Sequence, residues 1–470
     1  MSPFWIKTFQ LILCFALLIV LHEGGHFFFA KLFKVRVEKF YMFFDWKFHL
    51  FSTKDKWFSR LFPKIAKNET EYGIGWIPLG GYVKIAGMID ESLDMEQMQK
   101  PAQPDEFRSK PVWQRFLIMV GGVLVNFLVA LFIYAMILFA WGRDNLPMQN
   151  ITDGFAYNEM AEGLGFCDGD IPVKVDGVAI EGWDGTVYRA ISEAKSVTVL
   201  RDGKEVEIAM PAEGVNLLEM IEQDPRFLSV NVPARIDSVL PASAAAQAGM
   251  KKGARILAVD GQDIEWWGDF DAIMGRKADI LAAGCSHEDS VSLRQLPIVF
   301  VNEEEGAMPD TATLNLDEHY MLGIVKLPYQ FYYKEAYVHR DYGFWESIPA
   351  GIAYGWETLK GYVSDLKYIF TKKGAQSVGS FGTIGNLFPA VWDWASFWNI
   401  TAFISIILAV MNILPIPGLD GGHIFFLLVE AVTRRPPSDK FMERAQYVGM
   451  ALLFALMALA LFNDAVKFLF

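Results

Sequence analysis

Residues 4–30 are mostly Leu, Ile, Phe, Val and Ala, yet His22-Glu23-Gly24-Gly25-His26 stands inside that run. The run is longer than the ~20 residues a helix needs to cross the hydrocarbon core. Lipid offers no partner to backbone polar groups, so a helix is the form open to it. Ionisable side chains are expensive at that depth, and their default reading there is functional. On a helix, positions i and i+4 share a face, so His22 and His26 can reach one metal ion. Glu23 stands beside them, where it can handle a water's proton. The expectation is a hydrolytic zinc site within a membrane.

Blander readings compete. HExxH is a short pattern, and a lone His or Glu in a membrane helix is often a satisfied bundle residue. Three ionisable groups on adjacent turns are harder to place that way, because each needs a partner in lipid. Residues 11–21 could also serve as the apolar region of a signal peptide. Against that, Phe27-Phe28-Phe29 prolong the segment, and no clear small-x-small cleavage site follows.

Three further spans read well: 113–141, 397–432 and 447–462. The 397–432 span is interrupted by Leu414-Pro415-Ile416-Pro417-Gly418, which would open the backbone at membrane depth and is tolerated only against protein or a cavity. Fourteen Trp and 38 Phe suit interfacial belts and lipid-facing helices. Lys31, Lys34, Arg36 and Lys39 follow the first span, Arg108, Lys110 and Arg115 lead into the second, and Arg434, Arg435, Lys440 and Arg444 separate the last two. The positive-inside rule makes these loops cytoplasmic and puts both termini and residues 143–397 outside. The net charge of −13 argues against a general nucleic-acid binder. Cys14, Cys167 and Cys285 have no metal-type spacing and no disulfide framework, and Cys167 and Cys285 pair only if the fold brings them together.

The outer segment repeats itself at an offset of 84 residues. The stretch 165–177 aligns with 249–261, each ending in Asp-Gly (Asp176-Gly177 and Asp260-Gly261). Ile180 then matches Ile264, and Trp183 matches Trp267. Each copy reads as a turn, a short strand and a tight turn, followed by a hairpin such as the one around Asp202-Gly203. The copies resemble tandem PDZ domains of the bacterial protease type, residues 240–264 most clearly. Gly163-Leu164-Gly165-Phe166 spells the carboxylate-binding loop of animal PDZ domains. The internal alignment puts it opposite Gln247-Ala248-Gly249-Met250, away from a peptide-binding position, so the spelling is coincidental. Such domains either add a peptide to a sheet edge or only screen access.

Two His leave a zinc site one protein ligand short. Asp420, directly after the broken segment, is the best third candidate. A helix N-cap is its structural alternative, and His423 is a rival ligand. Glu430 reads as a solvated acid near the cytoplasmic end. Residues 345–370 place Trp345, Ile348, Ile352, Trp356, Leu359, Val363, Leu366 and Phe370 at helical spacing, as a helix packed on protein or lying on the membrane. A flexible stretch, 377–385, follows.

His22-Glu23-Gly24-Gly25-His26 and Asn412-Ile413-Leu414-Pro415-Ile416-Pro417-Gly418-Leu419-Asp420-Gly421-Gly422 together resemble the two signatures of the site-2 protease family. With four spans and two outer PDZ domains, the chain is similar to that family's bacterial regulator-of-sigma-E branch, over nearly its whole length. The resemblance implies Zn2+ held by His22, His26 and Asp420, with Glu23 as general base and acid. It implies substrate positioning by Asn412, by Asn126 in a GxxxN pattern (residues 122–126), and by Gly80 and Gly81 of a membrane-dipping β segment, 72–84. Helix packing is the alternative for Asn126, and an ordinary hairpin the alternative for the β segment.

The implied fold is a polytopic α-helical membrane protein with four transmembrane helices, a membrane-associated β segment and two extracytoplasmic α+β PDZ domains. Its parts run 1–33 (first span), 34–112 (cytoplasmic loop with the β segment), 113–142 (second span), 143–225 and 226–330 (PDZ pair), 331–395 (linker with the amphipathic helix), 396–433 (third span), 434–446 (cytoplasmic loop) and 447–470 (fourth span). The implied activity is intramembrane zinc endopeptidase in a bacterial inner membrane, the site facing the cytoplasmic side. Its partners are the lipid bilayer and single-pass substrates, such as an anti-sigma factor already shortened outside or remnant signal peptides, with no nucleic acid. The PDZ pair would filter by size. A non-catalytic PDZ adaptor predicts a spoiled metal site, and a metal transporter predicts ligands spread along a pathway. Iron or cobalt would suit the same ligands.

Overall fold

The computed structural model describes residues 2–78, 80–88, 101–223, 225–284, 287–303, 307–316 and 321–469. Cys285 lies outside the described residues, and with it the question of its pairing to Cys167. The chain divides into two compact units, residues 1–142 with 341–470, and residues 143–340.

In the first unit, helix α1 (Pro3–Leu32) is followed by strands β1 (Val37–Met42), β2 (Phe44–Ser52), β3 (Glu71–Ile77) and β4 (Tyr82–Ile85). Then come helices α2 (Val112–Trp141), α3 (Phe344–Asp365), α4 (Phe381–Leu387), α5 (Trp394–Ile413), α6 (Asp420–Thr433) and α7 (Asp439–Leu469). Four of these helices, α1, α2, α5 and α7, are long and apolar enough to cross a membrane. Where the sequence suggested one interrupted span over 397–432, α5 ends at Ile413 and α6 starts afresh at Asp420.

Small residues set the helix contacts. A Cβ on Gly25 would meet the Gly121 carbonyl oxygen at 2.2 Å, so α1 and α2 touch backbone to backbone there. The segment between α5 and α6 folds back on itself, and a Cβ on Gly421 would meet the Leu414 carbonyl oxygen at 2.0 Å. Helix α7 closes over that segment at Gly449, which abuts Pro417. Around Pro417 the opened backbone is therefore covered by protein, as membrane depth requires.

Helix α3 packs in part on protein, Leu359 of its apolar stripe and Leu366 just beyond it lying against the buried cluster around Ala130, Ile133 and Tyr134. Its buried residues are Ser347, Gly351, Gly355 and Gly361, and Gly351 sits against the backbone of Ala135 on α2. Trp345, Ile352, Trp356 and Val363 of the apolar stripe are exposed. The glycines permit the close approach of the helix to α2. The stretch expected to be flexible is held instead. Asp464 of α7 accepts hydrogen bonds from the backbone and hydroxyls of Ser380 and Thr383, and Asn463 donates to the Ala375 and Val378 carbonyls.

The four strands form one sheet in the order β2-β3-β1-β4, with β1 and β3 parallel and β4 antiparallel to β1. The β segment read from sequence covered β3 and β4 alone. Strand β2 carries Lys47 at φ 69° after Phe43 at φ 71°, and its register with β3 shifts, although residues 44–50 alternate apolar and polar as a strand does.

The second unit holds two halves of the same plan. In the first, strands run in sheet order 204–209, 196–201, 171–175, 178–179. In the second, 310–315, 295–301, 255–259, 262–263 take the corresponding places. The 84-residue offset persists in the backbone: Asp176 and Asp260 both have φ 49°, and Gly177 and Gly261 follow at 79° and 75°. Two successive positive φ values make the tight hairpin turn that Asp-Gly favours. Gly163-Leu164-Gly165-Phe166 falls at the end of helix Glu159–Gly163, matching the turn after helix Ala244–Gln247.

Candidate metal centre

Helix α1 carries His22 and His26 on one face, and α2 passes directly beneath them. A Cβ on Gly122 would lie 2.4 Å from His26 Nε2 and 2.6 Å from His22 Cε1, so only glycine leaves room for the two rings. His26 is buried, and its Nδ1 lies 2.8 Å from the Ile118 carbonyl oxygen. A carbonyl only accepts, so Nδ1 carries the proton and Nε2 keeps its lone pair. His22 Nδ1 lies 3.2 Å from the side-chain amide of Asn126. The Oδ1 of that amide is buried and without a partner. Turned half a rotation, the amide brings Oδ1 to Nδ1 as acceptor and frees His22 Nε2 in the same way. Ser405 of α5 donates to the Asn126 carbonyl at 2.7 Å, tying α5 to α2 at this level.

Asp420 arrives from the far end of the chain. It is the first residue of α6, after Leu419, and no side-chain cap bond is made at that end. Its carboxylate instead faces the imidazoles: Oδ2 is 3.2 Å from His22 Nε2 and 3.3 Å from His26 Nε2, and the two nitrogens are 3.3 Å apart. Beyond those two rings Oδ2 has no hydrogen-bond partner, although it is buried.

Three lone-pair donors at the corners of a nearly equilateral triangle are a costly arrangement without a cation between them. Tetrahedral zinc with N and O ligands sets its ligand atoms about 3.3 Å apart, which is the edge found here. The donor set fits the ion. Among the described residues, His22, His26 and Asp420 form the one cluster of this kind. His423 lines the same cavity but stands outside the cluster.

That cavity has a volume of about 880 Å³ and lies within the first unit. Glu23 opens onto it and interacts with the backbone of Val83 in β4. Gly80, Gly81, Asn126 and Asn412 also line it. Gly81 is where the sheet meets α1, since a Cβ there would meet Ile19 at 2.6 Å and the Tyr41 carbonyl at 2.8 Å. Gln446, buried on α7, completes the polar lining and was not singled out from sequence. A single Gln in a long apolar helix was its only signal. Glu430 is not solvated: Arg115 of α2 grips it with two bonds, of 2.6 and 3.1 Å.

The sequence profile of peptidase family M50 matches residues 10–456. The chain is 28% identical to the Regulator of sigma-E protease RseP of Escherichia coli, over 96% of this chain and 97% of that one. It is also 28% identical to Protease RseP of Yersinia pestis, over 99% of each chain. A relative in Vibrio cholerae, 26% identical over 96% of this chain and 97% of its own, carries the words zinc metalloprotease in its name.

Proposed function

The chain belongs to peptidase family M50, and on that premise we propose that it cleaves single-pass membrane proteins inside the bilayer. It is a zinc metalloprotease with membrane-spanning helices. One observation carries the finer reading: the triangle of His22, His26 and Asp420 atoms, with Glu23 on the same cavity wall.

His22, His26 and Asp420 would hold the zinc. Bound there, the ion supplies Lewis-acid polarisation and acidifies water. The Glu23 carboxylate takes up a proton and later returns it to the leaving amine. A helical substrate hides its peptide bonds in its own hydrogen bonds, so it must unwind before it is cut. β4 is an edge strand beside the site, and an unwound segment adds to it as a further strand. Gly80, Gly81 and Asn412 border that path and position the substrate backbone. Asn126 acts through His22, holding its ring, rather than on substrate.

The basic loops support a catalytic side toward the cytoplasm of a bacterial inner membrane, with residues 143–340 outside. The two halves of that unit are PDZ domains that filter substrates by size. The substrates are single-pass proteins already shortened outside, such as an anti-sigma factor, or remnant signal peptides. Replacing Glu23 by Gln tests the reading. Cleavage of a single-pass substrate falls roughly a thousandfold while zinc stays stoichiometric. Undiminished cleavage would sink it, and an adaptor would keep its function.

A further inference from the structure

Residues 44–68 carry a surface that the proposed reaction does not use. Trp46, Phe48 and Leu50 of β2 are each more than half exposed. Two short helices follow, Lys56–Leu61 and Pro63–Ala66, and there Trp57, Leu61, Phe62 and Ile65 are exposed. The same stretch holds Lys47, Lys54, Lys56, Arg60, Lys64 and Lys67 against Asp45 and Asp55, in a chain whose net charge is −13. In the first of these helices Trp57, Phe58 and Leu61 take one side and Lys56 and Arg60 the other, and Lys64 and Lys67 add two cations in and after the second. Lys54 is engaged internally, donating to the Ala66 and Asn68 carbonyls at 2.8 and 2.7 Å. The other four cations of the helical stretch are exposed.

So many exposed rings call for a cover, and continuity says which one. β1 begins at Val37, shortly after α1 ends at Leu32, and Phe27 of α1 packs edge-on against Phe40 of β1. Lys31 and Lys34 mark the level where hydrocarbon gives way to headgroups. β2 lies two strands from β1, on the order of 10 Å away. The patch is thus continuous with the bilayer surface that the spanning helices define. An apolar side flanked by cations, in a chain whose net charge is −13, complements an anionic apolar surface. That is the composition of an interfacial anchor, whose rings sit among acyl chains while its cations reach the phosphates. We infer that residues 44–68 lie on the membrane surface and bind anionic phospholipid headgroups through Lys56, Arg60, Lys64 and Lys67.

Hydrogen exchange on the full chain tests this, in vesicles of phosphatidylcholine alone and of phosphatidylcholine with phosphatidylglycerol. Amides of residues 53–67 are expected to exchange about tenfold slower with the anionic lipid. High salt, about 0.5 M, should remove the difference by screening. So should the combined changes Lys56→Glu, Arg60→Glu and Lys64→Glu, with β1 and β4 exchanging as before to show an intact sheet. Equal exchange in the two lipids overturns the inference. So does protection that persists in detergent and grows with protein concentration, because a second copy would then be the cover.

Discussion

Gly24 and Gly25 are neighbours in one motif with opposite prospects. A Cβ on Gly25 runs into the Gly121 backbone, whereas nothing lies within 4 Å of one on Gly24. Gly25→Ala should therefore push α1 off α2, at about 1–3 kcal/mol, and lower zinc occupancy and cleavage together. Gly24→Ala should be tolerated, and the better helix former adds up to about 1 kcal/mol. Metal analysis with thermal unfolding of the two variants checks the contrast. Asn126 gives a second test. Asn126→Asp keeps an acceptor for His22 Nδ1, while Asn126→Leu removes it, so zinc affinity should fall roughly 10- to 100-fold in the Leu variant alone. Equal affinities in the two would place Asn126 outside the metal's support. Other supports of the site carry no mark of their own in the sequence. An imidazole or carboxylate in an apolar run announces itself, and the structure brings His22, His26 and Asp420 within reach of one ion. The Ile118 carbonyl and Gly122 matter as much to the geometry, yet a carbonyl belongs to every residue and a glycine fits many ends.

Between elements, a polar tie between α6 and α2 is the pairing of Arg115 with Glu430, residues 315 positions apart in the chain. Their side chains are only 15% and 12% exposed, so neither is well hydrated. α6 is also the helix that Asp420 begins. Arg115→Ala leaves the carboxylate buried and uncompensated, which should cost about 3 kcal/mol. The melting temperature should drop, and zinc should bind more weakly as α6 loosens. Arg115→Glu with Glu430→Arg restores opposite charges and should recover much of both. A melting temperature unmoved by Arg115→Ala would show the pair to be solvated in effect. The sequence pointed to a solvated Glu430 because local spacing says nothing about a partner so distant. The sheet was half legible. β3 and β4 carry aromatic and glycine alternation, and β2 alternates too from Phe44 to Leu50, but its bend at Lys47 with positive φ and its shifted register have no such sequence mark. The repeat in the second unit was easier to see, because two Asp-Gly turns demand a backbone few other residues adopt.

At the scale of the whole chain, the proposed division of labour can be tested by removing one unit. Residues 143–340 form a compact unit, and its first and last strands, Arg143–Asn145 and Val338–Arg340, pair antiparallel with Arg143 opposite Arg340. Paired residues in such a ladder lie about 5 Å apart. The two points where the chain enters and leaves the unit are therefore adjacent, and a short Gly/Ser linker can join Gly142 to Asp341 without strain. The metal triangle draws on α1 and α6 alone, and its supporting contacts come from α2, so all of it stays in the variant. If the excised unit is a size filter, the shortened protein should cleave pre-trimmed substrates at a rate near that of the parent. It should also cleave substrates that still carry bulky outer domains, which the parent rejects. Competition between trimmed and untrimmed versions of one substrate reads this directly. Unchanged preference would mean that selection resides in the membrane unit itself, at the edge of β4 and the mouth of the cavity.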